Sequence, residues 1–217
     1  MADIRILAGT PDDNNRDYLP EIIKTTDVVV NENGNNSIVY PKRLREFKEV
    51  VIDGVEDVWY EYVPESYDPS KKVPLIIGLH GGLMTGWGHS IYTSWTMVAD
   101  REGFICLFPN GHDMRMWAVN GVFDNFDPAA APDLPVLDPP EDIKENHDMN
   151  MILALIEKMK GKYNIDEGRI FMQGMSMGNM MTHMFARNCG QILAGAAGSG
   201  AAAFLSLIFT KDEKIIN

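Results

Sequence analysis

Val73–His80, VPLIIGLH, is an unbroken apolar run closed by Gly81-Gly82. It constrains the fold more than any other stretch of the chain. A strand with one face in water alternates apolar and polar residues, whereas a strand without alternation needs cover on both faces. The chain around it offers that cover. A helical stretch runs roughly from Ile91 to Glu102 and ends at Gly103, and Phe104–Phe108 is a second buried strand stopped by Pro109. Residues 143–163 repeat apolar side chains at steps of three and four (Met149, Ile152, Leu153, Ile156, Met159, Tyr163), the pattern of an amphipathic helix. Asp166-Glu167-Gly168 turns the chain, Arg169–Gln173 reads as a strand, Met177–Asn188 as a helix, and Ile192–Ala197 as a last short strand. Strand, helix, strand, helix, strand implies right-handed crossovers and a parallel sheet with helices on both faces.

An antiparallel hairpin leads into this sheet. Glu46–Ile52 and Val55–Val63 are β-rich and flank Asp53-Gly54, a two-residue turn whose positions both favour positive φ. Residues 1–45 differ in kind, with Asp, Asn and Pro throughout. Within them an Asn/Gly cluster separates Asp27–Val30 from Ser37–Tyr40, which predicts a loose hairpin on an N-terminal arm or extension. The expected organisation is thus an arm over 1–45 and an α/β domain over 46–217.

Composition narrows the function. The 217 residues carry 19 Lys+Arg against 31 Asp+Glu, a net charge of −12, which repels phosphate backbones and argues against nucleic-acid binding. No run of 18 apolar residues is present, so no membrane span or membrane partner is expected. Met1–Arg16 lacks a basic segment followed by an apolar one, so no secretory signal is expected, and a native Met1 would imply a cytoplasmic protein. Cys106 and Cys189 sit in apolar settings and read as small buried thiols.

The chemistry centres on Gly174-Met175-Ser176-Met177-Gly178, a G-x-S-x-G pattern between a predicted strand and a predicted helix. A sharp turn there exposes a serine hydroxyl on strained backbone, and glycines on either side allow close approach of strand and helix. The helix N-terminus behind it offers N–H groups to a developing oxyanion. An ordinary glycine-rich turn is the plainer alternative, disfavoured by the strand–turn–helix setting. His80-Gly81-Gly82 ends the first buried strand, where a second oxyanion donor is expected. The candidate donors are the backbone N–H of Met177 and that of Gly82 or Leu83.

"LIIGLHGG", "SWTMVADREGF", "ICLFPNG", a downstream Trp and "YNIDEGRIFMQGMSMGNMM" occur in one order. Over residues 46–200 the chain resembles the polyhydroxybutyrate-depolymerase-like esterases of the α/β-hydrolase fold, which include feruloyl and acetyl-xylan esterases. The resemblance implies a serine carboxylic-ester hydrolase with Ser176 as nucleophile, needing no metal and no organic cofactor. It also implies a small-molecule or polysaccharide-linked ester as substrate. Asn179 departs from the pattern, since the family usually has a second glycine there; the departure bears on helix packing.

A serine nucleophile needs a base, and the base an orienting acid. In this fold the chain order is Ser, then Asp or Glu, then His. Behind Ser176 stand one histidine, His183, and two acids, Asp212 and Glu213, the acids in a charged tail. His183 is seven residues along a helix, about 10 Å from the serine at 1.5 Å rise per residue. Topology places His80, His89, His112 and His147 towards the active edge of the sheet. His147 and His112 are the leading substitute bases, with Asp148 or Asp113 to orient one. The weightier expectation is that 41 residues after Ser176 (217 − 176) are too few for the rest of such a hydrolase. The acid and histidine would then come from elsewhere, including a second chain.

For the substrate cleft the aromatic candidates are Trp87, Trp95, Trp117 and Phe123, with His80 beside them, while Met172–Met184 reads as core filling. A non-catalytic binding subunit and a serine peptidase of the same fold are the competing functions.

Overall fold

The computed structural model describes residues 28–30, 36–38, 43–93, 95–112, 116–119, 140 and 142–200. Two short strands, β1 (Val28–Val30) and β2 (Asn36–Ile38), pair antiparallel with Val29 opposite Ser37, close to the pairing expected around the Asn/Gly cluster. The main sheet has six strands among the described residues: β3 (Leu44–Ile52), β4 (Val55–Tyr62), β5 (Val73–Leu79), β6 (Ile105–Pro109), β7 (Ile165–Met175) and β8 (Gly195–Ser199). Their order across the sheet is β3-β4-β6-β5-β7-β8. β3–β4 and β4–β6 are antiparallel, and β6–β5, β5–β7 and β7–β8 are parallel. The Asp53-Gly54 turn has φ of 58° and 75°, the positive values its sequence favours.

Among the described residues four helices accompany the sheet: α1 (Gly86–Tyr92), α2 (Trp95–Glu102), α3 (His147–Lys162) and α4 (Met177–Cys189). β5 and β6 bury both faces, as the unbroken apolar run of β5 requires. Leu75, Ile77 and Leu79 of β5 join Met151, Ile152 and Leu155 of α3 and Met181 and Phe185 of α4 in one core. Ile76 points the other way, with Cys106 and Phe108 of β6, Trp87 and Ile91 of α1 and Ala99 of α2. This is the mixed α/β sheet expected, with an antiparallel hairpin followed by parallel strands.

Several boundaries differ from the sequence expectation. The single helix Ile91–Glu102 is two, because Thr93 turns extended and bonds the His89 carbonyl through both its N–H (2.9 Å) and its hydroxyl (2.8 Å). The turn at Asp166–Gly168 lies inside β7 as an outward step. Val73 pairs with Ile165 and Leu75 with Ile170, while Asp166 accepts from Gly168 N and Arg169 Nε. The helix of 143–163 starts at His147, capped by the Asn146 side chain, after a 3-10 turn over Ile143–Glu145. The last strand runs Gly195–Ser199, after a 3-10 turn over Gly190–Ile192. Cys106 is buried and Cys189 only half-buried. Among the described residues, no helix is long and apolar enough to cross a membrane.

Glu61 fastens the hairpin to α3. It is buried, and its carboxylate accepts from Trp59 Nε1 (2.9 Å), Lys162 Nζ (2.7 Å) and the Tyr163 hydroxyl (2.7 Å). Three donors on one carboxylate hold the start of the sheet against the end of the helix that precedes β7.

Candidate active site

β7 ends at Met175, Ser176 turns the chain, and α4 starts at Met177. Ser176 has φ 53° and ψ −118°, a conformation disfavoured for any residue with a Cβ. It is exposed, although its neighbours Gly174, Met177 and Gly178 are buried. The flanking glycines make the turn feasible. A Cβ on Gly174 would overlap Gly178 O, and one on Gly178 would overlap the carbonyl oxygens of Leu79 and His80. β7, α4 and the end of β5 thus touch backbone to backbone, and Ser176 stands at their junction. Ser176 N donates to Ser199 O (2.8 Å), which ties the turn to β8, and Gly200 passes close by.

The loop after β5 faces this turn. A Cβ on Gly81 would lie 3.6 Å from Ser176 Cβ, and one on Gly82 3.5 Å from Met177 Sδ. Met84 N donates to Gly81 O (3.1 Å), closing a turn in which Leu83 has φ 63°. Among the described residues only Asp53, Leu83 and Ser176 are non-glycine residues at positive φ, and Leu83 and Ser176 belong to these two neighbouring turns. The N–H of Met177, at the first position of α4, has no acceptor within its own helix. The loop after β5 and the N-terminus of α4 thus meet beside Ser176.

His80 supports this loop from beneath. It is fully buried. Gly111 N donates to its Nε2 (2.8 Å), so the ring proton sits on Nδ1, which donates to Gly81 O (2.7 Å). Trp117, also fully buried, donates its indole N–H to His80 O (2.7 Å) and tilts against the ring at 4.8 Å. The structure thus places His80 and Trp117 behind the loop and not on an open cleft wall. Trp87 is likewise buried in the core. Trp95 is half-buried and donates to Gln173 Oε1 (3.2 Å). Phe123, Asp113, Asp212 and Glu213 lie outside the described residues.

All five histidines are described, and among the described residues none bonds the Ser176 hydroxyl. His183 is half-buried on α4. His89 is buried, its Nε2 lies 3.0 Å from Gln173 Oε1, and burial pushes its pKa down to about 4. His147 and His112 are brought together, but around Asp57 of β4: His147 Nε2 is 2.7 Å and His112 Nδ1 3.6 Å from Asp57 Oδ1. β4 lies three strands from β7 in the sheet order, about 14 Å at 4.8 Å per strand, so the fold does not bring this pair to the serine. Burial alone would lower the His147 pKa, but the hydrogen bond and charge of Asp57, with Asp53 and Asp148 behind, raise it. Asp148 is buried, accepts from His112 N (3.0 Å) and Ala118 N (2.7 Å), and burial raises its pKa.

Asn179 is buried in the first turn of α4 and lies against Gly198 of β8, where any Cβ would overlap its amide. A glycine on the neighbouring strand accommodates the side chain that the resemblance did not anticipate.

This strand order, with a strained serine near two glycines on the turn between β7 and α4, defines a protein of the α/β-hydrolase fold. Comparison with known proteins carries the assignment further. No family model matches the chain. Feruloyl esterase B of Neurospora crassa is 32% identical over 147 residues, 66% of this chain and 44% of that protein. A bifunctional acetylxylan esterase/xylanase of Neocallimastix patriciarum is 30% identical over 145 residues, 66% of this chain and 18% of that protein. Among solved structures, the acetyl xylan esterase of Aspergillus awamori superimposes with a TM-score of 0.56 at 18% identity, over 80% of this chain and 57% of that one. The chain thus has the α/β-hydrolase fold and is similar, over about two thirds of its own length, to feruloyl and acetylxylan esterases and to a poly(3-hydroxyalkanoate) depolymerase of Paucimonas lemoignei. It spans less than half the length of the two curated relatives just described.

Proposed function

We propose that the chain carries the nucleophile half of a carboxylic-ester hydrolase active site, with Ser176 as nucleophile. The observation that carries this reading is the strained, exposed Ser176 at φ 53°, wedged between glycines that admit no side chain. Its hydroxyl oxygen attacks the ester carbonyl, and its proton passes to a general base. The N–H groups of Met177 and of Gly82 or Leu83 hold the oxyanion while the alcohol leaves. Water then releases the acid from the acyl-Ser176 ester. The two esterase relatives favour an acyl group esterified to a sugar hydroxyl as substrate class.

The base and its orienting acid belong, on this reading, to parts of the protein outside the described residues. The exit of β8 beside Ser176 supports an approach from that side, because Ser199 and Gly200 already touch the turn. Labelling with a fluorophosphonate and mapping by mass spectrometry tests the nucleophile. Ser176 is the expected adduct, with hydrolysis of p-nitrophenyl acetate lost in Ser176→Ala. Turnover undiminished by that substitution would overturn the assignment. A folded protein that neither labels nor turns over would instead favour a binding subunit.

A further inference from the structure

Asp57, His112 and His147 bring one carboxylate oxygen and two imidazole nitrogens within 4.8 Å of one another. They come from β4, from the loop after β6 and from the first residue of α3. We propose that these three residues form a divalent transition-metal site, suited to Zn2+, that clamps the entry hairpin, this loop and α3 together. The site is separate from Ser176, and the proposal does not depend on the ester-hydrolase reading.

The donor set is the first argument. Two imidazoles and one carboxylate suit Zn2+ and its borderline neighbours, whereas Ca2+ and Mg2+ prefer oxygen alone. Spacing is the second. Ligands about 2.1 Å from a tetrahedral ion stand roughly 3.4 Å apart. Asp57 Oδ1 lies 2.7 Å from His147 Nε2 and 3.6 Å from His112 Nδ1, which brackets that value.

The third argument is a buried group left over. Asp57 is only 3% exposed, and its second oxygen, Oδ2, has no hydrogen-bond partner among the described residues. An unpartnered buried carboxylate oxygen is costly, and a cation beside the carboxylate offsets that cost. The surroundings complete the pattern. Asp53 Oδ2 stands 3.3 Å from His147 Nδ1, the carboxylate–histidine arrangement that orients a metal-binding ring. Asp148 holds His112 N and Ala118 N and so fixes the loop that carries His112. Asp53, Asp57 and Asp148 give the neighbourhood negative charge to meet a dication. His112 is partly exposed, so an ion has access from solvent and water can complete its shell. On binding, the ion replaces the hydrogen between His147 Nε2 and Asp57 Oδ1, and that proton passes to solvent.

Chelator-treated protein titrated with Zn2+ by calorimetry, and with Co2+ by visible absorbance, tests the site. One equivalent of Zn2+ is expected, with Co2+ bands of a four- or five-coordinate site and a Zn2+-dependent rise in Tm. His112→Ala removes a surface ligand without opening the core, and should weaken Zn2+ binding at least tenfold and abolish the Tm rise. Asp57→Asn should do the same and serves as the second variant. Absence of saturable binding would overturn the proposal and leave an ion pair only. Binding unchanged in His112→Ala would equally overturn it, by locating the ion elsewhere.

Discussion

The indole N–H of Trp117 donates to the backbone carbonyl of His80 at 2.7 Å, with the two rings 4.8 Å apart and both side chains fully buried. This contact props the loop carrying Gly81 and Gly82 from behind. Trp117→Phe keeps most of the apolar volume and removes the donor. A buried carbonyl that loses its partner costs about 1–3 kcal/mol, and urea unfolding should register a loss of that size. No loss would mean that the carbonyl finds another donor.

Glycines at the serine turn and in α3 should respond in opposite directions to the same substitution. At Gly178 a Cβ meets the carbonyls of Leu79 and His80, backbone that cannot give way, so Gly178→Ala should cost more than about 3 kcal/mol or prevent folding. At Gly161, inside α3 and exposed, a Cβ meets nothing within 4 Å. Gly161→Ala should therefore stabilise by roughly 0.4–1 kcal/mol. Thermal unfolding of the two variants beside the parent checks both.

His89 gives stability a pH dependence of fixed sign. Burial lowers its pKa from 6.5 to about 4, opposed only by the Gln173 hydrogen bond. The unfolded chain takes up the proton first, so the contribution is present above pH 6.5 and is lost as pH falls towards 4. Between pH 7 and pH 5 this amounts to about 2 kcal/mol. His89→Gln keeps a donor for Gln173 and should remove that part of the slope in urea titrations at the two pH values. An identical slope in both proteins would refute the assignment.

Glu61→Gln should destabilise by about 1–3 kcal/mol, because the new amide cannot accept from Trp59, Lys162 and Tyr163 together. Lys162 is partly exposed, so water screens its charge and limits the loss. Equilibrium unfolding measures it, and Trp59 fluorescence should change as its partner changes.

Much of this protein is legible in its residues alone. Apolar runs specified which strands are covered on both faces, since a strand pattern repeats locally with period two or not at all. The glycines around Ser176 and at Asp53-Gly54 announced backbone that other residues resist, and such strain is also local. What the residues left open were relations between distant positions. His112 and His147 read equally well as bases for Ser176, because both follow or precede an active-edge strand. Only the strand order, with β6 and β5 between β4 and β7, set them beside Asp57 instead. Trp117 in a loop rich in glycine and aspartate gave no local sign of burial, and its place behind His80 depends on how that loop folds back. Backbone geometry is decided by neighbours in sequence. Which side chains meet is decided by the order in which strands and helices pack.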